Sequence, residues 1–156
     1  MYSSLQFLPA SLAKLTLQYS HIRQDPMAVL EQLPNLKLLR FVDSYSGSKL
    51  ACSAGGFSKL ETLQFHFLYS LDEWQIEKDA TPSLNRVDIV KIPQLKLIPE
   101  GSKLVTTLRR RNVIRLSNSL ERRLIIDEKG IGGEDFYKVR HIASISISQE
   151  TVNLIW

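Results

Sequence analysis

The chain has 156 residues, of which 44% are hydrophobic and 23% charged, with a formal net charge of +4. This balance is that of one ordinary globular domain, and the sequence contains no run of 18 apolar residues that could cross a bilayer. Residues 1–100 carry ten basic and ten acidic side chains, so the excess positive charge lies beyond residue 100.

The compartment is indicated by the cysteine content and by the amino-terminal residues. Cys52 is the only cysteine, which excludes an internal disulfide, and the opening residues MYSSLQFLPASLAK do not resemble a secretory signal. The sequence also has no Asn-x-Ser/Thr glycosylation site. We therefore expect a protein of the reducing cytosol or nucleus, with the cytoplasm as the favoured location.

The first predicted strand lies in the hexapeptide LAKLTL, whose apolar spacing recurs along the chain. Related hexapeptides follow at intervals of 24 residues: LKLLRF from Leu36, LETLQF from Leu60, LNRVDI from Leu84 and LRRRNV from Leu108. A period of 20–29 residues built on L-x-x-L-x-L is typical of leucine-rich repeats. It predicts an α/β solenoid, an arc with parallel strands on the concave face and short helices or irregular segments on the convex face.

The segments that connect one predicted strand to the next, here called return segments, are predicted to complete the core on the convex side. Asp25 is a good N-cap and Pro26 suits the first helical position, so 26–32 is predicted to be a short helix that buries Met27, Leu30 and Leu33. The second return, 44–57, is rich in Ser and Gly and is predicted to be irregular. In the third return we expect Trp74 and Ile76 to fill the convex core.

The fifth unit departs from the pattern, because Arg111 occupies a position where an inward aliphatic residue is expected. Either the solenoid frays there, or the register shifts so that Val113, Ile114 and Leu116 face inward. We predict about five units of 24 residues over 5–116 and a C-terminal cap over 117–156, which includes an alternating strand at Ile142-x-x-Ile145-x-Ile147.

Three stretches of the sequence resemble one family: LPASLAKLTLQYSHIRQDPMAVLEQLPNLKLLRF, CSAGGFSKLETLQF and GEDFYKVRHIASI. They look like the C-terminal leucine-rich-repeat region of plant coiled-coil nucleotide-binding leucine-rich-repeat (NLR) disease-resistance proteins, although Ala143 stands where that family usually has proline. The resemblance implies a ligand-recognition and autoinhibitory domain of an intracellular immune receptor. It implies as partners a pathogen effector or host protein, and the nucleotide-binding domain of the intact receptor.

The concave face is where leucine-rich repeats generally bind protein partners, and alternation along each strand predicts which side chains point outward. The candidate protein-binding residues are Lys14, Thr16, Gln18, Tyr19, Arg40, Asp43, Thr62, Gln64, His66, Phe67, Arg86, Asp88 and Lys91. Tyr19 and Phe67 are the best candidate anchors, because aromatic residues dominate protein interfaces. The alternative is that these are ordinary solvated positions of a sheet.

The candidate basic edge consists of Arg109, Arg110 and Arg115, within a stretch that also contains Arg111, Arg122 and Arg123. It could contact phosphates or an acidic protein surface. No aromatic residue is interleaved with these arginines, which argues against binding of nucleic acid. A solvated edge of the capping unit is the favoured interpretation.

The sequence contains no recognisable catalytic or metal-binding pattern. His21, His66 and His141 lie far apart and lack partners at ligand spacing. The chain has no phosphate-binding loop, so we expect no cofactor in it and no enzymatic activity. An alternative function that the repeats leave open is substrate recognition in a ubiquitin ligase.

Overall fold

The computed structural model describes residues 2–95, Pro99 and the segments 114–116 and 145–147. Its helices are a 3₁₀ helix, Tyr2–Phe7, and α1, Met27–Leu30. Its strands are β1 Lys14–Gln18, β2 Leu38–Val42, β3 Lys49–Cys52, β4 Thr62–His66, β5 Glu73–Ile76, β6 Arg86–Val90, β7 Ile114–Leu116 and β8 Ile145–Ile147. In the part of the chain described, no helix is long and apolar enough to cross a membrane.

The main sheet has six parallel strands in the order β1-β2-β4-β6-β7-β8. The register places Leu15 beside Leu39, Leu39 beside Leu63 and Leu63 beside Val87, so each of these steps across the sheet equals one period of the sequence repeat. Parallel strands need a crossover connection, which the return segments provide. The predicted leucine-rich-repeat solenoid is confirmed.

The core lies behind this sheet and is built from the repeated apolar columns. Leu39, Leu63 and Val87 are at most 2% exposed, and the next inward column contributes Phe41 and Phe65, each with no exposed surface. The ring of Phe65 contacts that of Phe41 edge to face, with centroids 5.7 Å apart. Phe65 makes a second edge-to-face contact with Trp74, with centroids 5.2 Å apart. These aromatic contacts join the concave sheet to the convex layer.

The first return segment forms a shorter helix than predicted. Only Met27–Leu30 is α-helical, and Glu31 and Gln32 form a turn that leads to Leu33. Met27, Leu30 and Leu33 are buried, as predicted. The carboxylate of Asp25 accepts a hydrogen bond from the Met27 amide at 2.8 Å and another from the Ala51 amide at 3.0 Å, so it also links this segment to the next return.

The second return segment was predicted to be irregular, and this prediction is wrong, because the segment contains β3. This strand pairs in parallel with β5 in the third return, and Leu50 lies beside Trp74 and Cys52 beside Ile76. All four side chains are buried. The predicted role of Trp74 and Ile76 in the convex core is therefore confirmed, and the convex layer is a second, two-stranded sheet in this region.

The register changes at the fifth unit. Val87 of β6 pairs with Ile114 of β7, which lies three positions beyond the residue that the repeat interval gives. This is the register shift that the sequence left open as an alternative to fraying. The sheet then continues into β8, where Ile145 pairs with Ile114. The division between repeats and cap at residue 116 stays a prediction.

Burial of the Cys52 thiol predicts a loss of stability at alkaline pH. Desolvation raises the pKa of Cys52 from 9.0 to about 12, although the nearby Trp74 indole opposes the shift. Between these values the unfolded chain releases a proton that the folded chain keeps, so the free energy of unfolding falls as pH rises, by about 1.4 kcal/mol per pH unit. Denaturation of wild type and Cys52→Ala from neutral pH to about pH 11 should show a shallower decline for the variant.

Tyr45 provides an internal reference for that comparison. Burial raises the pKa of Tyr45 from 10.0 to about 12, and this adds a further alkaline decline that is common to both proteins. Below pH 10.0, the ordinary pKa of tyrosine, the decline is attributed to the Cys52 thiol. Parallel curves for wild type and Cys52→Ala would contradict this attribution.

Candidate functional site

The outward side chains of the concave sheet stand in rows, because equivalent positions of successive strands lie side by side. The central row runs from Thr16 through Arg40 and Gln64 to Asp88. Successive members are one strand spacing apart, roughly 4.8 Å. Polar side chains in such a row therefore reach their neighbours directly.

Hydrogen bonds connect three members of the central row. Arg40 Nε donates to Gln64 Oε1, and Gln64 Nε2 donates to Asp88 Oδ2, each at 2.5 Å. The guanidinium of Arg86, two residues earlier on the same strand, donates to both oxygens of Asp88, at 3.1 and 3.4 Å. The Gln64 amide thus acts as both acceptor and donor between an arginine and a carboxylate.

Two members of this hydrogen-bonded network, Gln64 and Asp88, are buried, so the network is part of the packed structure. Asp88 is 2% exposed and Gln64 5% exposed. Burial of a carboxylate is costly unless an opposite charge and hydrogen bonds replace its hydration. The half-exposed guanidinium of Arg86 provides that opposite charge. Gln64 and Asp88 therefore offer little surface to a partner, while Arg40 and Arg86, at the two ends of the network, remain accessible.

A second row, beside the central one, is mostly buried. It runs from Gln18 through Val42 and His66 to Val90. Val42, His66 and Val90 are each at most 6% exposed, and only Gln18 on the first strand is exposed. The His66 ring stands nearly perpendicular to that of Phe67, with centroids 6.4 Å apart.

The residue that follows each of these four strands adopts a left-handed backbone conformation. We call this set the terminal row; its φ angles are 47° at Tyr19, 43° at Asp43, 58° at Phe67 and 52° at Lys91. Each of the first three donates its amide to the next strand, for example Tyr19 to the Val42 carbonyl at 3.1 Å. The left-handed region costs a residue other than glycine about 1–2 kcal/mol.

The terminal row also carries the exposed aromatic surface of the concave side. Tyr19 is 58% exposed, and Phe67 is half-buried. Lys91 Nζ lies 5.5 Å from the centre of the Phe67 ring. Tyr69, which is 54% exposed, has its ring centroid 6.4 Å from that of Phe67.

The structure divides the predicted binding residues by accessibility. Exposed are Lys14, Thr16, Gln18, Tyr19, Asp43, Arg86 and Lys91; half-buried are Arg40, Thr62 and Phe67; buried are Gln64, His66 and Asp88. Arg109 and Arg110 lie outside the described residues, as does the side chain of Arg115, whose backbone pairs with Asp88. Sequence reasoning missed Tyr69, because it lies three residues beyond the end of β4, where the alternation of the strand no longer applies.

Ion pairs also join neighbouring units outside the concave rows. Lys49 and Glu73 form an ion pair across β3 and β5 at 2.8 Å, which raises the pKa of Lys49 and lowers that of Glu73. Within the described ranges no three His, Cys, Asp or Glu side chains are close enough to hold a metal ion. The accessible concave surface therefore remains the candidate site.

Comparison with known proteins identifies relatives but no matching family model. The chain is 36% identical over 138 residues to the probable disease resistance RPP8-like protein 2 of Arabidopsis thaliana, covering 88% of this chain. It is 33% identical over 138 residues to the disease resistance protein RPP8 of the same plant, and 30% identical over 150 residues to the probable disease resistance protein RF45. The chain spans only 14–15% of the length of these relatives.

Proposed function

We propose a recognition function for this chain, which is a leucine-rich-repeat chain homologous to a segment of the plant disease resistance proteins. In this proposal it is a non-enzymatic part of a cytoplasmic immune receptor and binds a pathogen effector or host protein on its concave side. The proposal rests on the terminal row. Its exposed Tyr19, Asp43 and Lys91 and its half-buried Phe67 stand at equivalent positions after four neighbouring strands of the sheet.

Two properties of the terminal row favour contact with a protein. First, Tyr19 and Phe67 of the row, together with the neighbouring Tyr69, present aromatic surface, and aromatic residues are enriched in protein interfaces. Second, all four row members keep bulky or charged side chains in a backbone conformation that favours glycine. Strain of this kind is concentrated at functional sites.

The same surface is proposed to restrain the intact receptor. A ligand can release a nucleotide switch that the repeat domain holds closed only if the ligand binds the open and closed states with different affinity. We propose that the accessible arginines, Arg40 and Arg86, contribute the resting contact with the nucleotide-binding domain. A ligand that covers the terminal row would then compete with that contact.

Binding is tested with proteins captured from challenged leaf tissue. The variant Tyr19→Ala/Arg40→Ala/Phe67→Ala should retain less than about a tenth of the captured protein, since loss of two aromatic anchors removes about 2 kcal/mol or more. Gln75→Ala, an exposed change on the convex sheet, is the matched control. Equal capture by wild type and the triple variant would contradict the proposal.

Tyr19 allows stability and recognition to be separated. Tyr19→Gly relieves the left-handed strain and should be about 1 kcal/mol more stable than Tyr19→Ala, which keeps it. Both variants lose the aromatic ring and should bind equally weakly. Chemical denaturation and the capture assay together check this, and equal stability of the two variants would show that φ at this position is not costly.

A further inference from the structure

Three members of the terminal row place an aromatic ring between two opposite charges. Asp43, Phe67 and Lys91 follow β2, β4 and β6, and each of these strands has a described strand on both sides. The Asp43 amide donates to the His66 carbonyl at 3.0 Å and the Phe67 amide to the Val90 carbonyl at 2.9 Å, so this part of the row keeps the spacing of the sheet. A repeat unit stacked against β1 would not reach these three positions.

The ring and the two charges are accessible. Asp43 and Lys91 are exposed and Phe67 is half-buried. Lys91 Nζ lies 5.5 Å from the centre of the Phe67 ring, within the range of a cation–π contact, and the Tyr69 ring, with its centroid 6.4 Å from that of Phe67, widens the aromatic surface. Among the described residues neither Asp43 nor Lys91 belongs to an ion pair. Both charges are therefore available to groups of a partner.

The spacing of the row selects the backbone conformation of that partner. Neighbouring strands lie about 4.8 Å apart, so the Asp43 and Lys91 positions are separated by about 9.6 Å with Phe67 midway. An α-helix presents side chains to one face at intervals of about 5.4 Å, one for each turn. Alternate side chains of an extended strand are about 6.6 Å apart, and a polyproline helix repeats its face only about every 9.3 Å. A helix therefore matches all three positions, whereas a strand overshoots and a polyproline segment leaves the central ring without a contact.

We propose, on the basis of the recognition function proposed above, that the terminal row binds an α-helix of the partner protein that crosses β2, β4 and β6 with one turn above each strand. Charge complementarity requires a basic side chain opposite Asp43, an apolar one on Phe67 and an acidic one opposite Lys91. Helices favour acidic residues towards the N-terminus and basic residues towards the C-terminus. The bound helix therefore carries acidic, apolar and basic residues at positions i, i+3 or i+4, and i+7, and it begins at the Lys91 end of the row.

The two charges of the row can be exchanged without a change in net charge. Asp43 and Lys91 have similar φ angles, 43° and 52°, so each residue type already adopts the backbone conformation that it would need at the other position. The variant Asp43→Lys/Lys91→Asp therefore reverses the polarity of the row in the same fold. The matched control is Lys49→Glu/Glu73→Lys, which reverses an ion pair of the convex sheet.

A displayed library of alanine-rich helical peptides, randomised at positions i, i+3, i+4 and i+7, tests the proposal by selection against the full chain. Peptides selected on wild type should carry the order acidic, apolar, basic, and those selected on the exchange variant should carry the reverse order. A peptide selected on wild type should bind the exchange variant about tenfold more weakly or worse, because two attractions become repulsions. This difference should shrink at high salt. Phe67→Ala should also weaken binding about tenfold, and the control variant should bind as wild type does.

Several outcomes would overturn the proposal. The same charge order selected on wild type and on the exchange variant would do so, as would binders that arise only from a parallel library of proline-rich peptides. A failure to select any helical peptide, combined with loss of capture by the triple variant described above, would overturn the helix and retain the recognition function. Circular dichroism verifies folding, and if the exchange variant unfolds, Lys91→Asp alone should still remove the preference for an acidic residue at position i.

Discussion

Replacement of Phe65 by alanine is expected to lower the free energy of unfolding by about 3–5 kcal/mol. Phe65 has no exposed surface and contacts Phe41 and Trp74 edge to face. Alanine would lose the buried ring area and both aromatic contacts, and it would leave a cavity between the concave and convex layers. Chemical denaturation followed by far-ultraviolet circular dichroism measures the loss.

The matched control is Tyr69→Ala, which removes an aromatic side chain that is 54% exposed. Its effect should stay within about 0.5 kcal/mol, since exposed positions contribute little to stability. A loss of less than about 1 kcal/mol for Phe65→Ala would mean that the two layers do not depend on this ring for cohesion, contrary to the packing described above.

Asp88→Ala is expected to destabilise the chain by about 2–3 kcal/mol, through loss of a buried charge-assisted acceptor. The substitution would leave Gln64 Nε2 buried without its acceptor, whereas Arg86 is half-exposed and can turn to water. Because Gln64 also accepts from Arg40, the Arg40 side chain should become more mobile. Thermal and chemical denaturation report the first effect and side-chain NMR of arginine the second.

Asp88→Asn tests how much of that loss is due to charge. The asparagine carbonyl can still accept from Gln64 but no longer compensates Arg86, so its loss should be intermediate. Asp72→Ala, at a half-exposed position outside the concave rows, should change stability by about 0.5 kcal/mol or less. If Asp88→Ala and Asp72→Ala lowered stability equally, the hydrogen-bonded network would not have the structural role described above.

The sequence predicted the main sheet well because one physical constraint recurs along it. Leu15, Leu39, Leu63 and Val87 must reach a common interior, and the constant repeat interval places them side by side. Alternation then separates inward from outward positions. The same interval was present in the convex layer, where Leu50 and Trp74 pair, but adjacent Ser and Gly residues masked the strand signal.

The accessibility of the candidate site could not be predicted in the same way. Alternation gives the direction of a side chain but not whether its neighbours cover it, and Gln64 and Asp88 are covered by each other and by Arg86. The left-handed backbone conformation of Tyr19 could not be predicted either, because the residue at this position is not a glycine. Both properties arise from contacts between strands, which local patterns do not encode.

The constant offset between paired strands also has an evolutionary consequence. Removal or duplication of one whole repeat unit leaves the flanking strands in matching register, as the identical steps from Leu15 to Leu39 and from Leu39 to Leu63 indicate. Unequal recombination within such a gene can therefore lengthen or shorten the arc in whole units. The pairing of Val87 with Ile114 adds three residues to the interval between paired strands, so the length of a connecting segment can also differ by less than a whole unit.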